Sequence, residues 1–166
     1  WKTRTAGVVF ASPAVIGGSL YVGSGDGNLY ALDVETGGVL WKYKTGGAII
    51  SSAAVGSGMV FVGSGDGSLY AVDIKTGSMK WSFKTGGGIQ ASPLIVEEIV
   101  YITSKDGFLY AVEAASGPPD AEPEAAPPMW KVRMVSWVPG SPIDCAAMTP
   151  TASPALTRWP RARSRP

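Results

Sequence analysis

The chain has 166 residues, 45% of them hydrophobic and 16% charged, with a formal net charge of +1. This supports a folded core and excludes both a strongly basic nucleic-acid binder and an acidic solvating chain. With no histidine and a single cysteine, Cys145, imidazole chemistry and an internal disulfide are excluded; no run of about 18 apolar residues is present, so no membrane insertion is expected.

Along the chain, a 40-residue period runs through residues 1–117. VGSGDGNLYALD at 22–33 returns as VGSGDGSLYAVD at 62–73 and as ITSKDGFLYAVE at 102–113. Trp1, Trp41 and Trp81 fall in step, as do Thr5, Thr45 and Thr85, and Ser12, Ser52 and Ser92. A period of this length marks a repeat architecture whose units stack on their neighbours. Residues 1–5 read as the last strand of a preceding unit. In the first full copy, strands are predicted at about Val8–Ile16, Ser19–Ser24, Asn28–Asp33 and Val39–Lys44, from their β-branched, aromatic and small residues. Gly17-Gly18 and Gly25-Asp26-Gly27 supply hairpin turns. Four antiparallel strands in about 40 residues form one blade of a β-propeller. The blades are placed at about 8–45, 48–85 and 88–113. The fold class is therefore all-β, a partial propeller with an irregular C-terminal tail.

The pattern changes after Gly117. Residues 1–117 hold 21 of the 22 glycines and two of the 13 prolines. Residues 118–129 read as a Pro/Ala/Glu-rich insertion or linker, after which 130–135, beginning at Trp130, supply the missing last strand of the third blade. Residues 136–166 are rich in Pro, Ala and Arg and are expected to be disordered.

The A-x-D-x-x-T-G-x-x-x-W pattern of Ala31 to Trp41, repeated from Ala71 to Trp81, resembles the PQQ-like β-propeller repeat of the quinoprotein alcohol dehydrogenase-like family. The resemblance covers residues 1–117. It implies that Trp1, Trp41 and Trp81 dock neighbouring blades, with Ala31 and Gly37, Ala71 and Gly77, and Ala111 and Gly117 as partners in adjacent blades. The resemblance leans toward a periplasmic, secreted or luminal location, with cytosolic fusions as the alternative, and the sequence does not fix the compartment. Propellers usually need about four to eight blades, so the segment is expected to belong to a larger wheel and to meet its remaining blades.

A catalytic residue is needed once, whereas a structural one is needed in every blade. The recurrence of Asp26, Asp66 and Asp106, and of Asp33 and Asp73, therefore points to turn carboxylates that accept backbone N–H bonds. No D-x-D-x-D-G calcium loop is present. Gly23–Gly27 precedes a strand rather than a helix, which argues against phosphate binding. Arg4, Lys44 and Lys84 read as solvated charges on an outer strand. No catalytic, cofactor-binding or metal-binding residue is assigned. The expected role is a non-catalytic protein-binding or scaffold module. Two alternatives stand beside it: a fragment of a quinoprotein dehydrogenase, whose PQQ and calcium the resemblance would imply, and an accessory propeller fused to an adenylate-forming enzyme or a sensor kinase.

Overall fold

A computed structural model describes residues 1–117 and 131–133. The linker assigned to 118–129, the tail assigned to 136–166, Trp130 and Cys145 lie outside the described residues. Twelve strands form three four-stranded antiparallel sheets, with no helix among the described residues. The first blade contains β1 (Ala14–Ile16), β2 (Ser19–Gly23), β3 (Asn28–Asp33) and β4 (Val39–Lys44). The second contains β5 (Ala54–Gly56), β6 (Met59–Gly63), β7 (Ser68–Asp73) and β8 (Met79–Lys84). The third contains β9 (Leu94–Val96), β10 (Ile99–Thr103), β11 (Phe108–Glu113) and β12 (Lys131–Arg133). Strand order follows chain order in each sheet, and strands next to one another in sequence pair antiparallel. These are three blades of a β-propeller.

Glycine and tight turns set this geometry. Gly17 and Gly18 both have positive φ, at 55° and 78°, which the two-residue β1–β2 turn demands. The first strand is shorter than its sequence predicts, starting at Ala14 instead of Val8. Pro13 has no N–H to give a ladder, and the Ser12 amide is already bonded to Ser52 Oγ at 2.9 Å. The Ser52 amide bonds Ser92 Oγ in the same way at 2.9 Å. The segment before each innermost strand thus joins blade to blade instead of extending a sheet.

Each sheet has a leading face, toward lower-numbered blades, and a trailing face, toward higher-numbered ones. Side chains alternate between the two along each strand. Tyr21, Leu29 and Ala31 on the trailing face of the first blade pack with Ile49, Val60, Val62 and Val72 of the second. Phe61, Leu69 and Ala71 of the second pack with Ile89, Val100, Ile102, Tyr110 and Val112 of the third. The core therefore lies between sheets, in repeated apolar layers.

Candidate functional site

The side chains that the sequence repeats converge on the blade junctions. Trp41 ends on the outer strand β4, half-buried, and its indole Nε1 donates to the Ile74 carbonyl of the next blade at 3.2 Å. Trp81 does the same to Ala114 at 3.0 Å, and Trp1 to Val34 at 2.9 Å. Each ring lies over a glycine of the following blade. A Cβ on Gly37, Gly77 or Gly117 would fall 2.3, 2.7 or 2.7 Å from a ring atom of Trp1, Trp41 or Trp81. These glycines also have φ of 70°, 70° and 73°, so both the turn and the ring require the missing side chain. The rings differ in environment: Trp1 is 63% exposed, whereas Trp41 and Trp81 meet Tyr21 and Phe61 with ring centroids 5.7 Å apart in each pair.

The alanines are placed differently from the expectation. Ala31 sits across from Trp41, and Ala71 across from Trp81, within the same sheet. Their faces point toward the following blade, away from the blade whose tryptophan covers Gly37 or Gly77. Ala111 pairs with Tyr101 across β10–β11 and is half-buried. A small residue is needed at Ala31 and Ala71 because a bulky indole stands opposite. Beside each pair, a bulge at Leu40 or Lys80 shifts the register and re-aims the outer strand.

Asp33 and Asp73 cap their turns. The Thr36 amide and hydroxyl donate to Asp33 Oδ1 at 2.8 and 2.7 Å. The Thr76 amide donates to Asp73 Oδ1 at 2.9 Å, and Lys80 pairs with Asp73 Oδ2 at 3.3 Å. The amides of Thr76 and Lys75 hold the Asp73 carboxyl down at about 2.

Asp26, Asp66 and Asp106 do more than shape a turn. Asp26 Oδ1 accepts the Asn28 amide at 2.8 Å, closing an Asx turn. Its Oδ2 accepts the Tyr30 hydroxyl at 2.7 Å and the Ala6 amide at 3.0 Å. Asp106 repeats this with Tyr110 at 2.7 Å and the Gly86 amide at 2.8 Å. In the second blade, Tyr70 donates to Asp66 at 2.7 Å and itself accepts the Gly46 amide at 3.4 Å. Each carboxylate–tyrosine pair therefore grips the chain leaving the preceding outer strand. Burial opposes ionisation of Asp26, but the Tyr30 hydroxyl and the Asn28 and Ala6 amides outweigh it and hold the carboxyl at about 2. Asp66 and Asp106 are lowered by the same balance. Burial, then the bonded carboxylate, raises Tyr30, Tyr70 and Tyr110 above the ordinary phenol range.

The sequence reading did not find these tyrosines. Their signal was available, because Tyr30, Tyr70 and Tyr110 each follow the aspartate by four residues. Lys44 and Lys84 also differ from the expectation of purely solvated charge: their ammonium groups donate to the backbone carbonyls of Asp26 and Asp66. Thr45 and Thr85 hydroxyls bond the Gly27 and Gly67 carbonyls at 2.9 and 2.8 Å. Every buried side-chain nitrogen and oxygen among the described residues has a partner.

One surface feature departs from the repeat. A groove of about 550 Å³ at the first junction is lined by Ile16, Gly17, Ser19, Tyr21, Leu40, Trp41, Ile74 and Lys75. Forty residues on, Ile16, Leu40 and Lys75 become Gly56, Lys80 and Ala115, so the second junction has a different lining.

A sequence profile of the family described as outer membrane protein assembly factor BamB matches residues 1–142. The chain belongs to this BamB family of PQQ-like propeller repeats. No curated protein matches it by sequence. Among solved structures, BamB from Moraxella catarrhalis is similar at 26% identity and a TM-score of 0.63, over 71% of this chain and 37% of that one. A quinohemoprotein alcohol dehydrogenase, ADHIIG from Pseudomonas putida HK5, is similar at 29% identity and a TM-score of 0.64, over 70% and 20%. A europium-containing methanol dehydrogenase, 23% identical with a TM-score of 0.62, shares the fold over 70% of this chain and 25% of that one. This BamB-family chain thus spans little more than a third of the Moraxella protein.

The dehydrogenase likeness raises the question of a quinone and its metal. Among the described residues, no three His, Cys, Asp or Glu side chains come together to hold a metal ion. The recurring aspartates each spend their oxygens on a tyrosine, a threonine or backbone amides.

Proposed function

We propose that this segment is a non-catalytic scaffold within a larger propeller and binds a protein partner in the periplasm or cell envelope. The observation that carries this reading is the use of the repeated polar groups. They are engaged in joining blades, within a chain matched over 142 residues to an assembly-factor family. Recognition then falls to surfaces that escape the repeat. The groove at the first junction is one, with apolar Ile16 and Leu40 and cationic Lys75 in its lining. Such a lining suits an extended apolar segment of another protein.

The test is affinity capture from an envelope extract with the full chain and with Leu40→Asp. Retention of a discrete protein by the wild-type chain, lost in the variant, is expected. No retention above the matrix control, or equal retention by both, overturns the groove as the binding surface.

A second reading, a segment of a quinoprotein dehydrogenase, is favoured by the 29% identity to ADHIIG. Titration of the chain with PQQ and calcium, followed by quinone absorbance, separates the two. No spectral change is expected for the scaffold; calcium-dependent binding would establish the second reading instead.

A further inference from the structure

One contact between blades departs from the repeat in both of its partners. Tyr43 on β4, the outer strand of the first blade, donates its hydroxyl to Met79 Sδ on β8, the outer strand of the second, at 3.1 Å. One period earlier the two positions hold Thr3 and Val39, and one period later Phe83 and Pro119. The pairing of a phenol with a thioether is therefore used once. It carries none of the duty that recurs at every junction in the tryptophans and aspartates.

The two partners are held differently. The half-buried Tyr43 ring packs on the junction core, with its centroid 5.8 Å from that of Tyr70, which fixes where the hydroxyl points. Burial, then the charge of Asp66, raises Tyr43 above the ordinary phenol range, so the hydroxyl keeps its proton and remains a donor at neutral pH. Met79 is the first residue of β8, at the edge of its sheet, and is 46% exposed. Met59, the other methionine among the described residues, is 7% exposed and lies in the core. A small oxidant in the solvent thus reaches one of these two sulfurs and not the other. The existing bond is also mismatched, because a thioether is a weak acceptor for an O–H donor.

We propose that Met79 is a site of oxidation by peroxide, and that the Tyr43 hydroxyl captures the resulting sulfoxide and tightens the joint between the first and second blades. A lone pair of the Met79 sulfur attacks one oxygen of hydrogen peroxide. The S–O bond forms as the O–O bond breaks. The sulfur gives up two electrons, and the departing hydroxide takes the proton of the transferred oxygen and leaves as water. The new oxygen is a full hydrogen-bond acceptor, and the three rotatable bonds of the side chain let it swing to the waiting hydroxyl. Sulfoxide formation disrupts a packed core by making an apolar group polar. At Met79 the sulfur is at the surface and the donor is already in place, so oxidation acts in the opposite sense. The inference concerns a chemical response of the joint, and it stands whether the groove binds a protein or not.

The experiment treats the folded full chain with hydrogen peroxide, locates added oxygen by peptide mass spectrometry, and measures urea unfolding before and after. Met79 should gain one oxygen well before Met59 does. Met79→Leu, treated in the same way, carries the effect of oxidation at Met129, Met134, Met148 and Cys145. Relative to that control, oxidation of the wild type should lower the unfolding equilibrium constant about fivefold, the size of one net hydrogen bond. In Tyr43→Phe this gain should vanish. Failure of peroxide to modify Met79 overturns the proposal, as does an oxidation effect no larger in the wild type than in Met79→Leu, or equal in the wild type and Tyr43→Phe. If Tyr43→Phe shows no cooperative unfolding, Met79→Gln tests the same bond without oxidant, its amide oxygen standing in for that of the sulfoxide. It should be more stable than Met79→Leu, and equal stability of the two overturns the proposal.

Discussion

The work of joining blades rests on a few side chains whose partners lie in the next sheet. Trp41 has its ring against Gly77 and its N–H on a carbonyl of the following blade, so truncation loses packing and a bond together. Trp41→Ala should cost about 3 kcal/mol in urea unfolding, at the low end for a large aromatic because the ring is half-buried. Trp1→Ala should cost under about 1 kcal/mol, since Trp1 is 63% exposed. Equal costs at the two positions would contradict this difference in docking. The Asp–Tyr grips make a second, pH-dependent prediction. The folded-state pKa of Asp26 is about 2 against an ordinary 3.8, so its contribution is present above about pH 4 and is lost as pH falls toward 2. The tyrosines are shifted the other way. Their contribution holds below pH 10 and is lost as pH rises above it, because the unfolded chain ionises first. Melting temperatures should fall at both ends of the pH range. Tyr70→Phe should weaken the alkaline fall and cost about 1 kcal/mol at neutral pH.

At the scale of strands and turns, two hairpins hold a residue with a Cβ at positive φ, Ser57 in the second blade and Glu97 in the third. Glu97 adopts φ of 56° where the first blade has Gly17, a region that costs a residue with a Cβ about 1 kcal/mol. Glu97→Gly should therefore raise stability by about 0.5 kcal/mol, part of the gain being lost to the freedom of glycine in the unfolded chain. A lower melting temperature for that variant would show that the glutamate compensates elsewhere. The sheets themselves were legible from local pattern. Alternating apolar residues bounded by Gly-Gly or Gly-Asp-Gly announced β2, β3 and their turns, because hairpin pairing is a short-range affair. The strand Val8–Ile16 was overestimated for a long-range reason. The Ser12 amide is claimed by a hydroxyl forty residues away, which no local window contains. The Asp–Tyr grip was missed for a similar reason. Asp26 and Tyr30 lie four apart, but what gives them their role is Ala6, on a segment leaving another strand. The tryptophan and its glycine were found because the repeat pattern itself couples them. The alanine was assigned to the wrong sheet because sequence spacing does not distinguish a cross-strand neighbour from one in the next blade.

For the whole molecule, residues one period apart with the same chemistry should differ in consequence according to what covers them. Ile49 is fully buried between two sheets and Val9 is 48% exposed. Ile49→Ala should cost about 3 kcal/mol, whereas Val9→Ala should stay within about 0.5 kcal/mol. Chemical denaturation of the two variants side by side checks this, and a comparable loss for Val9 would mean that its face is covered in solution. The ladder Ser12–Ser52–Ser92 and the Trp-to-glycine contacts use one fixed offset at every junction. Each blade thus carries a plug on one side and the matching hole on the other. A tandem duplication in the gene can then lengthen such a protein without inventing any new surface, since the added unit inherits both halves of a working joint.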